Sequence, residues 1–414
     1  MKQFLRMIFF VVHGTRNRLH IVVLVIGSGA YFYWMYSLKY HEHNLKEKGI
    51  SPQNVLSTGE RSLILQGNKT TKFTINYDKL VKTNTKDKEN KHVVSELPLF
   101  QPLKEEEFPS TDTDVPRIPH IIHQMYKTEM IPGMYTAQVK SFIYNNPTWT
   151  YRFWTDESGR KLLQKQHPHL VGIYDKFGNN VKRSDMLRYA VLYEYGGFYA
   201  DFDMENFRSL NITTLKYACI LPVEPFEHSA LLYNKHFIIN NAFMSCRPKH
   251  PFFKLLLVGL QNAEFNGDPV NTTGPDYVTR KFLEYNNINV SSSEINKTDG
   301  SSNSPFFYKG ELKEIDNNAV YVPNSQYFMD KIDPMLLETN GKITLACKHI
   351  NTLTYLKQRA CFELSRREKI RKNRLYTFTV HHWYHLWLMK KDKIHSMKST
   401  NIKEIVPYFI KYNG

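Results

Sequence analysis

One stretch, residues 184–203 (SDMLRYAVLYEYGGFYADFD), constrains this chain more than any other. Ser184 is a residue type favoured at a helix N-cap, and the run that follows to Tyr195 is apolar on nearly every side. Such a helix has to be buried. Asp185 and Arg188, three apart, share one face of it. Gly196 and Gly197 supply the positive φ that ends it, and residues 198–200 then read as a short buried strand. Asp201 and Asp203 follow, and side chains two apart on a strand point the same way. Adjacent carboxylates repel unless something positive lies between them. A hard divalent ion that also holds substrate phosphates resolves that repulsion.

The chain around this stretch alternates strands with helices. Residues 118–126 (IPHIIHQMY) read as a first strand, 137–144 as a helix, and 149–154 (WTYRFW) as a second strand with Thr155 opening the next helix. This order predicts an α/β fold with a mainly parallel central sheet and ligands at the carboxyl ends of its strands. Further on, His250 starts or caps an apolar helix, and Gly274-Pro275 forms a tight turn before another. Residues 286–304 are a polar, low-complexity surface loop, and the basic run 366–374 reads as a solvated helix face, with attraction to anionic lipid heads as the sharper alternative. In the segment 380–387 (VHHWYHLW) a strand lets only one of His381 and His382 face inward; His381 is assigned to that place and His385 to the surface.

The N-terminus sets the expected organisation. Residues 19–38 carry no Asp, Glu, Lys or Arg, about the length that spans a bilayer, with Arg16 and Arg18 before them. A cleaved signal peptide is the competing reading, but the apolar stretch is too long for it. The boundaries that follow are a cytosolic tail (1–18), a transmembrane anchor (19–38), a stem (39–114), a catalytic domain (115–388) and a basic C-terminal tail (389–414). Beyond the anchor lie sequons at Asn68, Asn211, Asn271, Asn289 and Asn296. Cys219, Cys246, Cys347 and Cys361 allow one or two disulfides of open connectivity, and no Cys-x-x-Cys pair suggests a thiolate zinc site. The net charge of +16 alone would suggest nucleic acid, yet no stacking-aromatic RNA motif accompanies it.

Taken together, Ile118-Pro-x-Ile-Ile-His-Gln, Trp154-Thr-Asp, Ser184-Asp-x-x-Arg, Tyr195-Gly-Gly-Phe-Tyr-x-Asp-x-Asp, Thr273-Gly-Pro and the closing His381-His-Trp resemble glycosyltransferase family 32, in motif detail its inositol-phosphoceramide mannosyltransferase branch. The resemblance covers roughly residues 117–388. It implies a GT-A-like nucleotide-sugar-binding domain that moves a hexose with retention at the anomeric carbon, mannose from GDP-mannose being the first choice. A galactosyl- or N-acetylglucosaminyltransferase using a UDP-sugar is the alternative, and a catalytically inactive lumenal sugar-binding protein is a further one. By resemblance, Asp185, Arg188 and Asn241 contact the sugars, while His123, Gln124, Trp154, Asp201 and Gly274 border the nucleotide-sugar. Asp201, Asp203 and His381 would hold Mn²⁺ or Mg²⁺. A strand-end histidine satisfied by backbone for His123, a core role for Trp154, and an internal ion pair for Asp185 and Arg188 are the alternatives from the residues alone. The implied partners are a nucleotide-sugar donor, a glycolipid or glycan acceptor and the Golgi membrane, crossed once with the catalytic domain lumenal, with homo- or hetero-oligomers left open.

Overall fold

A computed structural model describes residues 115–288, 317–370, 377–388 and 397–414, together with Phe108 and four short strands nearer the N-terminus. The chain divides into two units, 1–59 and 60–414. In the first, β1 (Ile8–Val11) pairs antiparallel with β2 (Ile21–Leu24). β2 falls where the sequence predicts the anchor to begin, and the rest of 19–38 lies outside the described residues. Among the described residues no helix is long and apolar enough to cross a membrane. The polar loop at 286–304 also lies largely outside them, while the basic run at 366–374 is described as helix to Ile370 and turns Arg367 inward to Glu227 and Asp330 rather than to solvent.

The second unit opens with an antiparallel pair inside the expected stem, β3 (Arg61–Ile64) and β4 (Lys72–Ile75). Phe108, in the same expected stem, is buried edge-on against Tyr217, Tyr321, Tyr327 and Phe378. The remaining strands are β5 (Ile121–Met125), β6 (Met130–Pro132), β7 (Thr150–Trp154), β8 (Gly197–Ala200), β9 (Met204–Asn206), β10 (Cys219–Ile220), β11 (Phe243–Cys246), β12 (Thr379–His381), β13 (Ser399–Asn401) and β14 (Ile410–Lys411). Six of them form the central sheet in the order β10-β11-β8-β5-β7-β14. β8, β5, β7 and β14 run parallel, whereas β11 and β10 join antiparallel, so the sheet is mixed. The parallel half follows from helical crossovers: α1 (Thr136–Asn145) links β5 to β7, and α2 (Asp156–Gln166), α3 (Pro168–Lys176) and α4 (Asn180–Tyr195) link β7 to β8.

The sheet separates two apolar cores. On one face α2, α3 and α4 pack with α6 (Pro251–Gly259) and α7 (Pro275–Tyr285), after the short α5 (Phe226–Tyr233). On the other, α1 packs with Phe243, Phe328, Phe378, Ile402 and Val406. A third cluster joins α5 to α8 (Lys342–Lys348) and α9 (Tyr355–Ile370). There Cys347 is bonded to Cys361, closing a loop of 14 positions and so restricting the unfolded chain by roughly 3 kcal/mol. Cys219 and Cys246 form the second disulfide, across the β10–β11 pair.

Several expectations change at this level. The helix begins at Asn180 under an Asn179 cap that accepts from the Val181 N–H, so Ser184 sits inside the helix rather than capping it. Asn outcompetes Ser here because it stands where the chain is still extended. β8 ends at Ala200, and Asp201–Asp203 form a turn closed by the Met204 N–H on the Asp201 carbonyl. The aspartates therefore owe their placement to a turn and not to strand alternation. Residues 397–414 are part of the fold rather than a tail: β13 pairs with β6, β14 extends the sheet, and Ile402 and Val406 are fully buried.

Candidate active site

The double glycine brings the aspartates to the sheet's carboxyl edge. Gly196 and Gly197 have φ of 62° and 89°, and a Cβ on Gly197 would lie 2.6 Å from the Ile121 carbonyl oxygen. Only glycine allows β8 to lie this close to β5. The Asp201 N–H then donates to the Ala242 carbonyl at 2.7 Å, which fixes the start of the turn.

On the α4 side the polar groups close a lattice. Asp185 accepts from the Asn241 amide at 2.9 Å and from the Thr273 hydroxyl at 2.6 Å. Arg188 donates to the Asn241 carbonyl at 2.6 Å, and its Nη2 lies 3.4 Å from Asp201 Oδ1 and 3.5 Å from Asp185 Oδ1. Tyr189 donates to the Thr273 carbonyl and receives the Asn241 amide at 3.0 Å, and Tyr199 donates to Asp201 at 2.5 Å. The Arg188 guanidinium also sits 4.8 Å over the Tyr199 ring. Its Nε is buried without a hydrogen-bond partner in the protein. Burial pushes the Asp185 carboxyl up to about 6, against the pull of Arg188 and its hydrogen bonds. Asp201 is raised for the same first reason, with Arg188 opposing and the Asp203 charge adding to it.

The opposite side is the closing segment. His381 Nε2 stands 3.1 Å from Asp203 Oδ1, and the Tyr384 N–H donates to Asp203 Oδ2 at 3.0 Å. Burial alone would raise Asp203, but His381 and these hydrogen bonds outweigh it and hold the carboxyl at about 2. Burial would lower His381, and the Asp203 charge overrides it and raises the imidazole. His382 turns the other way, to Glu205 at 2.7 Å. His385, expected at the surface, is half-buried and bonded to Asp333 at 2.7 Å. Trp383 and His385 adopt left-handed backbone with φ of 57° and 49°, conformations that cost bulky residues about 1–3 kcal/mol. Trp383 is retained there because its ring packs 4.0 Å from His381 and its Nε1 donates to the Lys331 carbonyl at 2.7 Å.

The other residues singled out in the sequence form a layer beneath the site. His123 is fully buried: Nδ1 accepts from Trp154 Nε1 at 3.0 Å, so Nε2 carries the proton and donates to the Gly196 carbonyl at 2.9 Å. Burial drives its pKa down to about 3. Trp154 is 1% exposed and its ring stacks on Tyr412, leaving no face for a base. Gln124 receives the Tyr151 hydroxyl at 2.6 Å and reaches the Asp201 carbonyl at 3.4 Å, which supports the turn from below. Gly274 caps α7, where a Cβ would crowd the Pro269 carbonyl and Val270 at 3.1 Å, and its neighbour Thr273 is the residue that touches the site. Sequence reasoning passed over Thr273, Tyr189, Tyr199 and Tyr384. Tyr189 had a legible signal, since it lies four residues after Asp185 on the same helical face.

Asp201, Asp203 and His381 offer two carboxylates and an imidazole, a donor set that suits Mg²⁺ or Mn²⁺. Burial raises Asp201 and the Asp203 charge adds to it, and a divalent cation would relieve that second part. The three do not close as a cage: among the described residues the one trio whose ligand atoms fall within 4.8 Å is Cys219, Cys246 and His250, and those cysteines are spent in a disulfide.

Comparison with known proteins agrees with this chemistry. Residues 133–219 match the family described as glycosyltransferase sugar-binding region containing DXD motif. The chain is 34% identical to inositol phosphoceramide mannosyltransferase 3 of Schizosaccharomyces pombe, over 36% of this chain and 39% of that protein. It is 28% identical to mannosyl phosphorylinositol ceramide synthase CSH1 of Saccharomyces cerevisiae, over 41% of this chain and 43% of that protein. The matched region thus spans about two-fifths of these relatives' length. Among solved structures, PaToxG Glycosyltransferase covers 42% of this chain and 71% of its own at 18% identity, with a TM-score of 0.34 that carries no argument. Residues 133–219 thus carry the sugar-binding region of DXD-containing glycosyltransferases.

Proposed function

We propose that this chain transfers mannose from GDP-mannose to a hydroxyl of an inositol-phosphoceramide-type glycolipid. The observation that carries the reading is the meeting, in one site, of the Asp203–His381 pair and the Asp185–Arg188–Asn241 lattice. Arg188 and Asp185, held as fixed donor and acceptor, are suited to orient the hydroxyls of a bound hexose. Thr273, Tyr189 and Asn241 keep those two charges in place without the donor present. Asp203, with Asp201 and His381, would hold Mg²⁺ or Mn²⁺, which when bound neutralises diphosphate charge on the leaving nucleotide. Tyr384 and His381 fix which lone pairs of Asp203 remain available. Family resemblance supports retention at the anomeric carbon, and no nucleophile is assigned.

A single-pass anchor at 19–38 with the catalytic domain in the Golgi lumen completes the reading, supported by the charge-free run and the sequons that follow it. The test is hydrolysis of GDP-mannose, UDP-galactose and UDP-N-acetylglucosamine by the purified chain, with and without Mn²⁺. Ion-dependent release of GDP is expected. Preference for a UDP-sugar would move the donor assignment to the alternative branch, and indifference to all three would sink catalysis.

A further inference from the structure

We propose that the face formed by β6, β13 and the segment leading into β14 lies on an anionic lipid bilayer and receives the hydrocarbon part of the acceptor. The proposal rests on the acceptor being a lipid, as argued above. Met130, Met134, Tyr408 and Ile410 are 47, 40, 56 and 45% exposed on or near these elements. They are not scattered: Met130 lies opposite Asn401 in the β6–β13 pair, and the Gly133 N–H donates to the Lys398 carbonyl at 2.7 Å. Between the two segments opens a groove of about 490 Å³, lined by Gly133, Met134, Thr136, Met397, Lys398 and Thr400. Its apolar walls are flexible methionines, which adapt to irregular hydrocarbon.

The groove is one residue from the site. Met134 lines it, while Tyr135 turns inward, is 6% exposed and stacks on Phe202 at 5.4 Å. Tyr135 also stands 6.1 Å from the ring of Tyr384, whose backbone N–H holds Asp203. A molecule with a polar head at Asp203 and a hydrocarbon tail in the groove would therefore pass along the Met134–Tyr135 step.

Charge selects the occupant. Lys127, Lys398, Lys403 and Lys411 are exposed around this face, against the acidic Glu129 and Glu404 and, toward Lys127 and Lys411, Asp156 and Glu157. Glu129 pairs with Lys411 at 2.7 Å and more loosely with Lys403 at 3.7 Å, and Lys127 faces the Asp156 charge, so Lys398 is the ammonium left over at the groove itself. Exposed methionines and a tyrosine beside lysines match the interface of a bilayer, with apolar groups among the acyl chains and ammonium groups at the phosphates. A second copy pairing on the β14 edge is disfavoured by Lys411, since charge on an edge strand opposes strand addition.

The experiment uses the full chain with vesicles of phosphatidylcholine, with or without phosphatidylinositol, each carrying a trace of photoactivatable phospholipid, and maps the cross-linked peptides. Residue-level mapping separates this face from any labelling of 19–38. Labelling of 130–136 and 397–400 that depends on the anionic lipid is expected. Lys398→Glu should cut it about fivefold or more, and Met134→Asp further, with GDP-mannose hydrolysis unchanged. Label confined to other peptides, label indifferent to lipid charge, or protein–protein cross-links at Met134 would each overturn the proposal. Loss of hydrolysis in the unsubstituted chain would instead fall on the donor reading and leave the map to be judged by itself.

Discussion

The α4 side of the site and the closing-segment side hold their charges by different means. Asp185, Arg188, Asn241, Tyr189 and Thr273 come from three separate parts of the chain and satisfy one another so fully that little besides the Arg188 Nε is left over. Asp203 and His381 instead face each other across two segments, and the partner segment is held by a turn containing two left-handed, non-glycine residues. A lattice of that kind carries stability, because removing one member strands the others without water. A strained turn holding one ion pair contributes less to the fold and more to the reaction, since strain persists where the surroundings enforce a geometry. Substitutions on the two sides should therefore fail in different ways.

Asp203→Ala gives the sharpest division. On the proposed reading, ion-stimulated GDP release should fall by about a thousandfold or more, because the variant loses a carboxylate proposed to hold the ion. Its stability should fall by roughly 2 kcal/mol, less than for the lattice below, because the interactions that hold this carboxyl at about 2 are lost. A normal turnover rate with Mn²⁺ supplied would place the chemistry elsewhere. Arg188→Ala should do the reverse in emphasis, lowering stability by roughly 3–5 kcal/mol as Asp185 and Asp201 lose the cation buried between them. Chemical denaturation measures it, and a cost below about 1 kcal/mol would show that the lattice is not what holds this side.

The smallest effect comes from the layer beneath. His123 has a pKa of about 3 in the fold against an ordinary value of 6.5, so the unfolded chain binds the extra proton between those limits. Its contribution is complete above 6.5 and drains away as pH falls toward 3, at up to about 1.4 kcal/mol per pH unit. His123→Gln, whose amide can still donate to Gly196 and accept from Trp154, should flatten that part of the acid-stability profile relative to the parent. Parallel profiles would mean that the fold does not lower the pKa of this imidazole.

The same contrast explains what could be read in the sequence. The helix, double glycine and aspartates were legible because each rests on local rules: an all-round apolar run, positive φ, and carboxylates that need a cation. That β8 stops before Asp201 was not, because a turn and a strand end share composition over three residues. Thr273 was visible only as part of a turn, since its contact with Asp185 spans 88 positions and leaves no periodic trace. His123 and Trp154 were weighed between ligand contact and a structural role. Their bond to each other, which commits His123 Nδ1, belongs to the pairing of β5 with β7 and has no local signal. The C-terminal residues looked like a basic tail because β13 and β14 are too short for alternation to show.

β14 carries a consequence for how the molecule is made. It covers the outer edge of β7 with Ile410 beside Arg152 and Lys411 beside Phe153. During synthesis that edge is made well before β14 and stays bare until β14 has left the ribosome. For that interval the nascent sheet offers unpaired backbone amides and carbonyls to any neighbouring strand. A chaperone that shields this border should raise the yield of native molecules, and a fusion that stiffens the last residues should lower it.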